Sequence, residues 1–238
     1  MKENETLKIN PLPSKTWYWL HLNDTTVKWN GNVQPCMVTT EEPEQVSEAG
    51  LNIKEMTTGA GAEADTLFSD ENLPVLQLTA KAEDGERIIR LDISGEDKEN
   101  AAGTVYIATE ENAHVTVIEK FISGKKAQSD LAFRTKLYAK KNSTIRLIQI
   151  NMLDEGQRLL NAVGSVCDET AKLDVLQMLI GQGDVYNGIQ TELEGDQSEL
   201  HTAIGYIGQK QQSLDMNLVV NHWGKKTNCD IQVDGTLK

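Results

Sequence analysis

Histidine and cysteine supply the soft ligands and nucleophiles of this chain, and they are few. Four histidines (His21, His114, His201, His222) and three cysteines (Cys36, Cys167, Cys229) are spread over 238 residues. No two histidines stand four apart, the spacing that puts two imidazoles on one helix face for zinc. The closest soft pair is His222 and Cys229, in Asn221-His222-Trp223-Gly224-Lys225-Lys226-Thr227-Asn228-Cys229. Two ligands do not close a structural zinc site, which takes four. His222 and Cys229 are the candidate metal residues, and a place in the core is the competing reading for both. A thiol beside Lys225 and Lys226 could have a lowered pKa and be reactive. Cys167 adjoins Asp168 and Glu169, whose charges raise a thiol pKa and disfavour a nucleophile. Cys36 has no visible partner, so no residue of the chain is assigned a catalytic role.

Two other chemistries fare no better. No phosphate-cradling GxxxxGK[ST] is present, and Gly181-Gln182-Gly183-Asp184 lacks a following helix, so it reads as a turn. Asp174, Glu199 and Asp230 could line one outer wall, as a polysaccharide-acting enzyme would require. Such enzymes are commonly secreted, however, and the chain shows no export signal. The balance of 36 acidic against 23 basic residues, net −13, argues against nucleic acid and anionic membrane surfaces as partners. An odd number of widely spaced cysteines fits a reducing compartment, and no apolar run is long enough to span a bilayer. The expected location is cytoplasmic.

The elements that must position these residues form a repeat. Strand centres at Val115/Val117, Ile145/Leu147, Leu173/Val175, Leu200 and Cys229/Ile231 recur every 27 to 30 residues. Polar corners follow the same period: Glu110-Glu111-Asn112, Lys140-Lys141-Asn142-Ser143, Cys167-Asp168-Glu169-Thr170 and Glu194-Gly195-Asp196-Gln197. Gly-bearing corners alternate with them, at Gly124, Gly156, Gly181 to Asp184, Gly208 and Gly235. A unit of this size cannot bury its apolar side alone and must stack on its neighbours. Alternating strands such as Thr144-Ile145-Arg146-Leu147 predict an all-β wall with one apolar and one polar face. A parallel β-helix and an antiparallel meander both fit that pattern. The stretch Glu155–Ala162 has a weak helical period, too short to carry weight.

The predicted organisation is residues 1–72, an N-terminal capping segment and acidic linker, followed by residues 73–238, the β-helix core. Trp17, Trp19 and Trp29 are expected to cover the end of the stack, which would otherwise expose apolar edges. Residues 39–72 read as a linker or partly helical loop with little core of its own.

The stretches Glu111-Asn112-Ala113-His114-Val115-Thr116-Val117-Ile118-Glu119, Asn142-Ser143-Thr144-Ile145 and Leu193-Glu194-Gly195 resemble the SufB/SufD family of iron–sulfur cluster assembly proteins. Asp215, Asn221-His222 and Thr227-Asn228-Cys229 leading into Asp234-Gly235 extend the likeness, as do Leu12-Pro13-Ser14-Lys15-Thr16-Trp17-Tyr18-Trp19-Leu20 and Gly59-Ala60-Gly61-Ala62-Glu63-Ala64-Asp65. The resemblance implies a right-handed parallel β-helix, a single-stranded solenoid. It also implies a non-catalytic SufD-like scaffold that pairs with a SufB-like subunit and the SufC ATPase. No cofactor is implied for the chain alone, and an iron–sulfur cluster is expected only in the assembled complex. SufB-like members carry a functional cysteine just before the Leu-x-Gly motif, where this chain has Thr191. In the family the β-helix continues past the Asp-Gly corner into the subunit-pairing strands and a SufC-docking helical segment. The chain is therefore expected to be a truncated member, incomplete at its C-terminal end, unable by itself to retain SufC and inclined to self-associate through its last coil.

Overall fold

The computed structural model describes residues 4–12, 25–30, 32–40 and 56–238. Two walls face each other, each a seven-stranded sheet counting every strand that joins it. The first wall runs through β4 (Met37–Thr40), β6 (Glu86–Ser94), β8 (His114–Ile122), β10 (Thr144–Met152), β12 (Lys172–Leu179), β14 (Glu199–Gly208) and β16 (Asn228–Leu237). The second runs through β3 (Gln34–Pro35), β7 (Asn100–Thr109), β9 (Ser129–Ala139), β11 (Gln157–Cys167), β13 (Asp184–Leu193) and β15 (Leu214–His222). In it β5 (Val75–Ala80) pairs the later half of β7. Consecutive strands alternate between walls, and each strand from β5 onward pairs in parallel with strands one coil away. This is a parallel β-solenoid of about six turns. The antiparallel meander is excluded: among the described residues only β1–β2 and β4–β6 pair antiparallel.

The repeat read from the sequence is the register itself. Val115, Ile145, Leu173, Leu200 and Cys229 stand side by side along the first wall, and Val117, Leu147, Val175, Thr202 and Ile231 form the next row. Their side chains point inward, and Ile145, Leu147 and Leu173 are fully buried. Each such side chain contributes about 1.5–3 kcal/mol by leaving water. The polar corners stack too. Asn112, Asn142, Thr170, Gln197 and Lys226 all adopt left-handed backbone with φ between 56° and 63°. That conformation turns the chain sharply, and Asn tolerates it best among the residue types present. It aims each amide at the next coil: Asn142 N donates to Glu169 O, Thr170 N to Asp196 O and Gln197 N to Lys225 O. Charges follow the same spacing, as in Arg146–Asp174 at 3.1 Å, Lys172–Glu199 at 3.1 Å and Lys141–Glu169 at 2.7 Å.

The opening segment divides between two tasks. β3 and β4 lie against the first coil, on β7 and β6, and so cover the end of the stack. The hairpin of β1 (Asn4–Lys8) and β2 (Thr26–Asn30) instead packs on the outer face of the second wall. There Trp29 is buried among Ala102, Ala132, Leu160 and Ala162, donates to Asn100 Oδ1 at 3.0 Å, and lies 5.0 Å beneath the Arg158 guanidinium. Trp29 thus covers the side of the solenoid, not its end; Trp17 and Trp19 lie outside the described residues. Residues 57–68, including α1 (Ala62–Asp65) and a 3-10 turn at Thr66–Phe68, form a strap over the same face. The strap is well packed, with Ala60, Ala64, Leu67 and Phe68 buried. It crosses so closely that a Cβ on Gly188 would sit 2.2 Å from Ala60 N, and one on Gly164 2.3 Å from Thr57 O. Glu155–Ala162 is a turn and the start of β11, where stacking between β9 and β13 overrides the weak helical period.

Alternation inverts in the middle of three coils. Glu119, Gln149 and Gln177 lie side by side and point inward, while the apolar neighbours Ile118, Ile148 and Leu176 point outward. With Met152, Met178 and Ile180 these outward residues leave an apolar stripe on the first wall. Inside, a polar column stands where aliphatic packing would be expected.

Candidate functional site

The last described coil carries the two candidate ligands. His222 ends β15 opposite Leu193, and Cys229 opens β16 opposite Leu200. Both partners belong to inward rows, so the register puts both candidates on the inward rows of their walls, where Cys229 is half-buried and His222 stays exposed. Cys229 packs against the main core, and His222 Nδ1 lies 2.7 Å from Thr227 Oγ1 across the corner. Among the described residues no group of three or more His, Cys, Asp or Glu is placed to hold a metal ion. His21 lies outside the described residues. His201 sits on the outer wall, 3.6 Å from Asp230.

The corner between His222 and Cys229 is built by stacking. Trp223 N and Gly224 N both donate to Leu193 O, as Glu194 N and Gly195 N do to Cys167 O one coil earlier. The Leu193-x-Gly195 motif reflects this geometry: a Cβ on Gly195 would meet Glu169 N at 1.9 Å, and one on Gly224 would meet Gly195 O at 2.2 Å. Glycine is required where one corner rests directly on the next. Outside the corner, Trp223 is 71% exposed but fixed, its Nε1 donating to Glu192 Oε2 at 2.7 Å. Burial acts to raise the Glu192 pKa, but hydrogen bonds from Trp223, Gln190 and Asn221 outweigh it and hold the carboxyl below its ordinary value.

None of the thiols is activated. Burial pushes Cys36 up to about 12, where its Sγ fills the space above Gly103. Cys167 is also pushed up to about 12, chiefly by burial with the Asp168 charge adding, in the direction its acidic neighbours implied. Cys229 is raised by burial and by Asp230, so Lys225 and Lys226 do not make it a thiolate. Thr191 is fully buried and accepts a 2.7 Å hydrogen bond from Ser165 Oγ. The carboxylates considered for polysaccharide chemistry do not oppose one another: Asp174 and Glu199 face Arg146 and Lys172 one coil away, and Asp230 faces the His201 imidazole. Asp215 is likewise taken up structurally, accepting from Asn10 Nδ2 at 2.6 Å and from the Thr25 hydroxyl, which ties the opening segment to β15.

A polar cleft of about 400 Å³ lies along the Gly-bearing corners, lined by Glu155, Arg158, Gln182, Asp184, Lys210 and Gln212. Lys210 pairs with Glu155 and Arg158 with Asp130, and Asp184 accepts from Ser213 N at 2.8 Å. The buried column is a feature that ligand and nucleophile spacing does not reveal. Its signal is an amide or acid at inward positions one repeat apart: 119, 149 and 177 on one wall, 161 and 187 on the other.

These features define a stacked β-solenoid whose motif residues build corners and core. Residues 92–238 match the family model for the SUF system FeS cluster assembly, SufBD core domain, and the chain belongs to that SufB/SufD family with a role in iron–sulfur cluster assembly. No curated protein and no solved structure matches the chain. No helix among the described residues is long and apolar enough to cross a membrane.

Proposed function

We propose that the chain is a SufD-like, non-catalytic scaffold subunit of a SUF-type assembly, working in the cytoplasm beside a SufB-like subunit and a SufC-type ATPase. The observation that carries this reading is the absence, among the described residues, of a thiol poised to accept sulfur. The position before Leu193-x-Gly195 is a buried threonine, and Cys36, Cys167 and Cys229 are all held protonated. A sulfur acceptor needs an exposed thiolate, so the persulfide-bearing role falls to the partner subunit. His222 and Cys229 shape the last coil, and a cluster, the cargo of the system, is built only in the assembled complex.

Anaerobic co-expression with SufB-like and SufC-like subunits tests this. The isolated chain is expected to carry no stoichiometric iron and sulfide, with any cluster found only in fractions that also contain the SufB-like subunit. A cluster on the isolated chain would overturn the reading.

A further inference from the structure

Glu119 has no exposure at all, and among the described residues no cation reaches it. Its carboxylate accepts from Thr135 Oγ1 at 3.1 Å to each oxygen and from Gln149 Nε2 at 2.7 Å. Behind Gln149 the amides form a reciprocal network, in which Gln149 Nε2 also donates to Asn161 Oδ1 at 3.2 Å, Asn161 Nδ2 to Asn187 Oδ1 at 2.9 Å and Gln177 Nε2 to Asn187 Oδ1 at 3.1 Å. Gln177 Nε2 donates to Gln149 Oε1 at 2.6 Å, and Asn161 Nδ2 donates to the same oxygen at 2.7 Å. Asn187 Nδ2 donates to Gln177 Oε1 at 2.7 Å. Four amides on two coils therefore satisfy one another behind one acid, and the column ends on apolar rungs, Leu91 on one side and Ile204 with Met216 on the other.

We propose that Glu119, Thr135 and the amide column form a buried proton-binding site that ties the stacking of these three coils to pH. The charged form gains hydrogen bonds from two walls but loses its water, and a buried carboxylate without a cation is costly. The neutral form keeps the network, because the Thr135 hydroxyl oxygen accepts from the protonated carboxyl. The proton comes from solvent and returns to it; no other bond changes. Every group facing Glu119 is uncharged: Val117 and Phe121 on its own strand, Leu91 on β6, Val105 on β7, Phe133, Thr135 and Leu137 on β9, Gln149 on β10 and Asn161 on β11. Arg134 and Lys136 flank Thr135 in sequence but project from the opposite face of the wall. Desolvation raises the Glu119 pKa from its ordinary 4.5 to about 7, against the hydrogen bonds from Gln149 and Thr135.

The folded state thus holds this proton more tightly than the unfolded chain. The contribution to stability is complete below the unfolded pKa of about 4.5 and is lost as pH rises through about 7. Urea unfolding between about pH 5.5 and 8.5 should show this falling component in the wild type and not in Glu119→Gln. Parallel profiles for the two proteins overturn the proposal. Infrared difference spectroscopy on the intact chain reads the same site without relying on that variant. A protonated-carboxyl band should bleach with a midpoint near 7. The midpoint should move up in Thr135→Val, which deletes a donor to the carboxylate, and stay put in Asp65→Asn, which removes a half-buried acid also raised by desolvation. No such band, an unmoved midpoint in Thr135→Val, or loss of the band in Asp65→Asn each overturns it.

Discussion

At the scale of single residues, burial decides the chemistry more than sequence neighbours do. Cys167 adjoins Asp168 and Glu169 in the sequence yet points inward between Ala139 and Leu193, so desolvation dominates its pKa and the adjacent Asp168 only adds to it. Cys229 has two lysines nearby in sequence, but its own row places it over Leu200 with Asp230 alongside. The three thiols therefore differ in access more than in intrinsic reactivity. With an aromatic disulfide reagent at about pH 8, Cys229 should label first and slowly, while Cys36 and Cys167 should label only at the rate of unfolding. Cys229→Ser should remove the early phase. An early phase that survives this change would place reactive sulfur at one of the two buried sites and reopen the question of sulfur acceptance.

At the scale of elements, the strap of residues 57–68 depends on a wall with almost no side chains under it. Gly164 and Gly188 clear a track on the outer face of the second sheet where the strap's backbone rests, and Ala102, Ala132 and Ala162 extend the small-residue surface shared by the hairpin and the strap. Gly188→Ala should lift it, costing about 1–3 kcal/mol as an overpacked contact and exposing residues 57–61 to limited proteolysis. Gly205→Ala is the control, because its Cβ would meet nothing closer than Gln177 O at 4.0 Å; it should change stability by less than about 0.5 kcal/mol. The same track explains what sequence reading could and could not find. The first wall was legible because aliphatic residues recur at inward positions, as in Ile145 and Leu147, and the left-handed corners were legible as polar clusters. The strap was not, because small residues on an outward face carry no hydrophobic signal. The Glu119 column was missed for the converse reason. In Val117-Ile118-Glu119 alternation assigns either the valine or the isoleucine to the core, and only the register with Gln149 and Gln177 shows that the acid goes inside.

For the molecule as a whole, two electrostatic effects of opposite sign compete. Ion pairs between coils, such as Arg146–Asp174, Lys172–Glu199 and Lys141–Glu169, lie at 2.7 to 3.1 Å. The Arg146–Asp174 and Lys172–Glu199 pairs each contribute about 0.2–1 kcal/mol at an exposed site. Against them stands a net charge of −13, whose mutual repulsion acts along the full length of the stack. Salt separates the two by distance. The Debye length at 0.1 M is about 10 Å, so contact pairs keep much of their attraction while repulsion between distant coils is largely screened. Raising sodium chloride from about 0.01 to 0.15 M should therefore move the urea midpoint upward. Urea is the suitable denaturant because guanidinium would itself supply the screening. Charge reversal distinguishes the causes. Glu199→Lys breaks the pair with Lys172, a contact effect that salt leaves largely in place, yet makes the chain less negative overall, a long-range relief that salt screens away, so its destabilisation should be smallest at low salt and grow as salt is added. A midpoint that fell with added salt in the wild type would instead make the ladder of ion pairs, and not the repulsion between coils, the dominant charge effect holding the solenoid together.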